Sequence, residues 1–88
     1  NRQETIIKLR KNLYDSLMEI EANNSDKIKI ITGCSNFVFI RTDIGKEIFD
    51  YLLNNGVAIR FMGDYLRITA GTEEENTQVV KLLNEFFS

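Results

Sequence analysis

Apolar positions near the start of the chain fall at Ile6, Leu9, Leu13, Leu17 and Ile20, the three-and-four spacing that lines one face of a helix. Ile7, Tyr14 and Met18 widen that stripe, so the pattern predicts a long amphipathic helix over about residues 2–22. Asn23-Asn24-Ser25-Asp26 breaks it, and Lys27-Ile28-Lys29-Ile30-Ile31 then alternates and is β-branched, as a strand is. Gly33 to Ser35 form a turn into Asn36-Phe37-Val38-Phe39-Ile40-Arg41. This second strand is so nearly all apolar that both of its faces are expected to be covered, with Phe37 and Phe39 sharing one face as part of the core. Asp43 is placed to cap the next helix, whose stripe is Ile44, Ile48, Tyr51 and Leu52. Asn54-Asn55-Gly56 supplies the left-handed stop. Strands over 57–62 and 65–70 follow, joined at Gly63-Asp64, a hairpin signal of the Gly-X type. Thr72-Glu73-Glu74-Glu75 is a T-x-x-E capping box opening a helix that turns Val79, Leu82, Leu83 and Phe86 inward. The order α-β-β-α-β-β-α predicts an α+β fold in which helices cover a mainly antiparallel sheet.

The second hairpin carries the sharpest chemical inference. With Gly63 and Asp64 as the loop, Met62 pairs with Tyr65, Phe61 with Leu66, Arg60 with Arg67 and Ile59 with Ile68. Alternation sends Ile59, Phe61, Leu66 and Ile68 to one face and both arginines to the other, where like charges directly opposite destabilise the pair. An anion between them would offset the repulsion, and guanidinium forks suit phosphate and carboxylate through paired hydrogen bonds. The alternative is that each arginine pairs with a nearby Asp or Glu, or lies on a wet face.

Composition narrows the function. At 88 residues, 43% hydrophobic and 27% charged, the chain is the size of one small globular domain, 1–88, with no linker or low-complexity stretch. It has no His and a single cysteine, Cys34, which excludes Ser–His and Cys–His couples, a disulfide within the chain and a His/Cys zinc cage. Eleven basic against 13 acidic residues argue against a nucleic-acid partner. No apolar run nears the ~20 residues of a membrane span, and a free thiol is compatible with a cytoplasmic location. Glu73, Glu74 and Glu75 could be read as a metal cluster, but carboxylates in a first helical turn are what the macrodipole favours, so no metal site is assigned. Asp26, Asp43 and Asp64 lack calcium-loop spacing, Cys34 reads as a small thiol in a turn, and no Gly-rich phosphate loop occurs. The chain opens at Asn1 without Met and its helical pattern is already running at Thr5, which suggests a fragment of a longer protein.

The string Ser35-Asn36-Phe37-Val38-Phe39-Ile40-Arg41, then Leu52 to Gly56 leading into Val57-Ala58-Ile59-Arg60, then Tyr65-Leu66-Arg67-Ile68-Thr69-Ala70-Gly71-Thr72 with Glu74-Glu75-Asn76, resembles the C-terminal small domain of histidinol-phosphate aminotransferases. The likeness runs along essentially the whole chain, and its specific part is the pattern G-V-x-x-R, L-R-I-T-x-G-T, E-E-N. It implies a fold-type-I enzyme dependent on pyridoxal 5'-phosphate, with the cofactor and its Schiff-base lysine in a large domain absent from these residues. This domain would then bind no cofactor, contribute no catalytic residue and be inactive alone. The parent would be a cytoplasmic homodimer that transfers an amino group from histidinol phosphate to 2-oxoglutarate in histidine biosynthesis, giving imidazole acetol phosphate and glutamate.

In the family, the arginine that falls on Arg67 binds the substrate's carboxylate or phosphate, and the one that falls on Arg60 assists at the phosphate. Many members carry a longer insertion between these arginines, where this turn is minimal. The alternatives are the equivalent domain of a threonine-phosphate decarboxylase-like enzyme or aromatic aminotransferase, a free-standing α+β regulatory module binding a small anion, and a protein-interaction module.

Overall fold

A computed structural model describes residues 2–32 and 36–88. The elements are α1 (Arg2–Asn23), β1 (Ile28–Thr32), β2 (Phe37–Thr42), α2 (Gly45–Asn54), β3 (Arg60–Met62), β4 (Tyr65–Thr69) and α3 (Glu73–Phe87). The expected order α-β-β-α-β-β-α is what forms, around a four-stranded antiparallel sheet ordered β1-β2-β4-β3. The turn expected at Gly33 to Ser35, with Cys34, lies outside the described residues.

Register decides which side of the sheet is core. Ile30 pairs with Ile40 and Ile40 with Leu66, while Val38 pairs with Ile68. These side chains, all at most 5% exposed, share one face and pack with Leu13, Leu17, Ile48, Leu52, Val79, Leu82 and Leu83 of the helices. All helices therefore lie over that face. Phe37 and Phe39 alternate with Val38 and Ile40, so they point to the opposite face and are only half-buried. The expectation that β2 is covered on both sides, with these phenylalanines in the core, is thus corrected: a nearly all-apolar strand here has one face on the helices and the other on the open side.

Local chemistry explains the element ends. α2 stops in a Schellman-type turn: Gly56 takes φ 86°, its N–H bonds to the Leu53 carbonyl at 3.0 Å, and Val57 N–H reaches the Leu52 carbonyl at 2.8 Å. The start of α2 differs from expectation, because Ile44 occupies the N-cap without a side-chain cap, and exposed Asp43 does not serve. The neighbouring Thr42 explains this. It is buried at the end of β2, and its hydroxyl donates to the Lys27 carbonyl at 2.8 Å and accepts from Ile44 N–H at 3.1 Å.

α1 is longer than the surface it covers. Leu13, Leu17 and Ile20 are buried, but Ile6 and Ile7 remain 41% and 52% exposed, so the predicted apolar stripe is covered only over its later turns. At the other end of α1, Glu21 reaches the lateral edge of the sheet, where its Oε1 accepts from Ile30 N–H at 2.6 Å.

Candidate anion-binding site

The β3–β4 hairpin forms in the expected register, with Arg60 opposite Arg67, Phe61 opposite Leu66 and Met62 opposite Tyr65. Gly63 supplies φ 68° at the first loop position, which a two-residue turn of this kind requires. Leu66 and Ile68 are buried at 0% and 1%, so Arg67 between them must project to the uncovered face. On that face it lies between Phe39 of β2 and Arg60 of β3.

β3 is shorter than predicted. The strand expected over 57–62 is paired only from Arg60 to Met62, so Ile59 and Ile68 do not form a strand pair. Residues 57–59 lead from the Gly56 stop into the strand without joining β4, and a groove of about 790 Å³ opens beside its C-terminal half. Arg60, Arg67, Thr69, Gly71, Glu74 and Asn76 are among its lining residues. Ala70 N–H bonds back to the Asn36 carbonyl at 2.7 Å, so by strand alternation the Thr69 amide faces the groove side, beyond the end of β3.

The far wall is the start of α3. The expected capping box forms: the Thr72 hydroxyl accepts from Glu75 N–H at 3.1 Å, and the Glu75 carboxylate accepts from Thr72 N–H at 2.9 Å. The hydrogen bond from the Thr72 backbone, followed by that involving its side chain, holds the Glu75 carboxyl below its ordinary pKa. Asn76 is buried and braces the approach, its Oδ1 accepting from Gly71 N–H at 2.8 Å.

The arginines have no such partners. Ion pairs join Lys11 to Asp15 and Lys46 to Asp50, both between exposed groups, and among the described residues neither Arg60 nor Arg67 is paired with a carboxylate. Arg67 instead lays its guanidinium carbon 4.5 Å from the centre of the Phe37 ring, and its Nε is buried without a hydrogen-bond partner. The alternative in which each arginine finds a nearby Asp or Glu is therefore not the arrangement adopted. The strands also contain Lys29, Arg41, Arg60 and Arg67 and no acidic residue, so a net charge of −2 conceals a basic sheet. Such a surface favours the approach of anions.

The sequence pointed to the arginines but missed the roles of Phe37 and Asn76. The stacking needs the pairing of β2 with β4, which places Phe37 level with Thr69 and has no turn signal between adjacent segments to reveal it.

No family model matches the chain. It is 34% identical over 85 residues to histidinol-phosphate aminotransferase 1 of Carboxydothermus hydrogenoformans, covering 91% of this chain and 23% of that protein. The fold is similar to that of the histidinol-phosphate aminotransferase from Clostridium acetobutylicum, at 25% identity and a TM-score of 0.75, over 92% of this chain and 26% of that one. It is also similar to that of a Burkholderia pseudomallei protein whose aminotransferase assignment is provisional, with a TM-score of 0.83, 19% identity and coverage of 97% and 26%. The chain spans about a quarter of the length of these proteins.

Proposed function

We propose that this chain, which matches histidinol-phosphate aminotransferases in sequence and aminotransferases in fold over nearly its whole length, is the C-terminal substrate-closing domain of such an enzyme. The carrying observation is Arg67, a residue of the groove lining whose guanidinium has no carboxylate partner and whose Nε is buried and unbonded. An arginine so placed is ready to bind an external carboxylate or phosphate. Arg60, directly opposite across the hairpin, adds a second positive charge to the same groove.

The groove lining contains no lysine and hence no primary amine to which pyridoxal 5'-phosphate could be joined. The cofactor, which supplies the electron sink for transamination, would then be held by the other three quarters of the parent protein. This domain's own part is physical: Arg67 binds the anionic end of the substrate, Arg60 adds charge, and closure of the domain excludes water from the reacting end. In the parent reaction the anions would be the phosphate of histidinol phosphate in one half and the carboxylate of 2-oxoglutarate in the other. The partners on this reading are that small-molecule substrate, the chain's own large domain and a second subunit of the parent.

The test is Arg67→Ala in the full-length enzyme. Removing one side of a charge-assisted contact costs about 2 kcal/mol or more, so KM for histidinol phosphate should rise by about 30-fold or more, with a smaller rise for Arg60→Ala. An unchanged KM in Arg67→Ala would exclude this assignment.

A further inference from the structure

We infer that Phe37 is a positioning residue for Arg67, fixing the direction in which the guanidinium is offered to the anion; the inference rests on the reading of Arg67 given above. An arginine side chain on an open sheet face can lean along its strand either way. Toward one end of β4 lie Tyr65 and Arg41, and toward the other lie Thr69 and the groove. Phe37 pairs with Thr69, one step along the face from the Phe39–Arg67 pair. A guanidinium 4.5 Å from the Phe37 ring centre has therefore leaned toward the groove end.

The ring does this without competing for the ligand. A carboxylate in its place would hold the arginine equally well but would consume the hydrogen bonds that an anion needs. A phenyl face attracts the cation through its quadrupole and leaves the N–H edge unused. It also suits a half-buried site, because a ring offers the cation an attractive contact without a second charge to desolvate, and Phe37 is itself half-buried on the sheet. β2 and β3 flank β4 on opposite sides, so a guanidinium drawn diagonally toward Phe37 lies on the side of β4 away from β3 and Arg60.

The experiment compares Phe37→Leu, Phe37→Tyr and Arg67→Ala in the full-length enzyme, with KM and kcat for histidinol phosphate. Phe37→Leu keeps apolar bulk but loses the ring; KM should rise about 5- to 30-fold, the equivalent of one cation–π contact, with kcat changed less than about threefold. Phe37→Tyr should restore KM, and Phe37→Leu added to Arg67→Ala should raise it no further. In the 88-residue chain the Arg67 Nε–H proton should show a ring-current shift in NMR spectra that Phe37→Leu abolishes and Phe37→Tyr retains. If Phe37→Leu lowers thermal stability but leaves KM and that resonance unchanged, Phe37 is structural only and the inference fails. If Arg67→Ala itself leaves KM unchanged, the underlying assignment fails instead.

Discussion

Gly71→Ala tests how tightly the start of α3 is built. Gly71 does not adopt positive φ, which among the described glycines is confined to Gly56 and Gly63. Its backbone therefore accepts alanine, and restricting the unfolded chain should by itself stabilise the protein by about 0.4–1 kcal/mol. The obstacle is a side chain. A Cβ on Gly71 would stand 2.5 Å from Glu75 Oε1 and 3.1 Å from its Cδ, whereas ordinary contact begins at 3.4 Å. The carboxylate is the end of a flexible, exposed side chain, so it swings away rather than displacing backbone. That movement breaks its 2.9 Å bond from Thr72 N–H, because separations past about 3.5 Å no longer count as hydrogen bonds.

The sign of the Gly71→Ala effect should therefore depend on Glu75. In a Glu75→Ala background the entropy gain stands alone, and Tm should rise by roughly 2–8 °C for a domain of this size. In the natural sequence the rise should vanish or reverse. The carboxyl titration gives a second readout: Glu75 should return from its depressed pKa toward the ordinary carboxylate value in Gly71→Ala. Because the folded pKa is the lower one, the stabilisation it reports is present above the unfolded pKa and is lost as pH falls through the folded pKa. The background difference in Tm should accordingly shrink in acid. Thermal melts of the four proteins at neutral and acid pH, with NMR titration of Glu75, would show this. Equal shifts in both backgrounds, or a Glu75 that stays depressed in Gly71→Ala, would refute the reasoning.

Other substitutions probe the core and its polar exception. Leu17→Ala removes a fully buried side chain from the α1 face and should cost about 2–5 kcal/mol, read from urea unfolding midpoints. Thr42→Val keeps shape but deprives the Lys27 carbonyl and the Ile44 N–H of their common hydroxyl, and should cost about 1–3 kcal/mol in the same assay, although both residues are apolar enough to be buried.

What was legible in the sequence was mostly local. Gly63-Asp64 set the hairpin register and hence the opposition of Arg60 and Arg67, because a two-residue loop leaves no freedom in pairing. The Thr72–Glu75 box and the Gly56 stop were likewise written within a few residues of where they act. Features involving distant segments were not. The apolar run of β2 says nothing about whether a second layer exists, and so does not reveal that Phe37 and Phe39 lie on the side of the strand away from the core. Asp43 met the requirements for a cap, yet buried Thr42 already supplied the oxygen. The alternation expected over 57–62 gave no hint that its first half stays apart from β4, although that separation opens the groove.

The hydrogen bond from Ile30 N–H to Glu21 governs which neighbours this fold can accept. A strand at the border of a sheet offers unpaired amides that invite another strand to dock beside it. β1 is such a border, and one of its outward amides is taken at 2.6 Å by a carboxylate from its own first helix. The opposite border, β3, is only three residues long. Lateral growth by strand addition is thereby discouraged on both flanks, by an acidic plug on one and by brevity on the other. Contacts that this fold makes with a neighbour must then rely on side chains rather than on continuation of its backbone ladder.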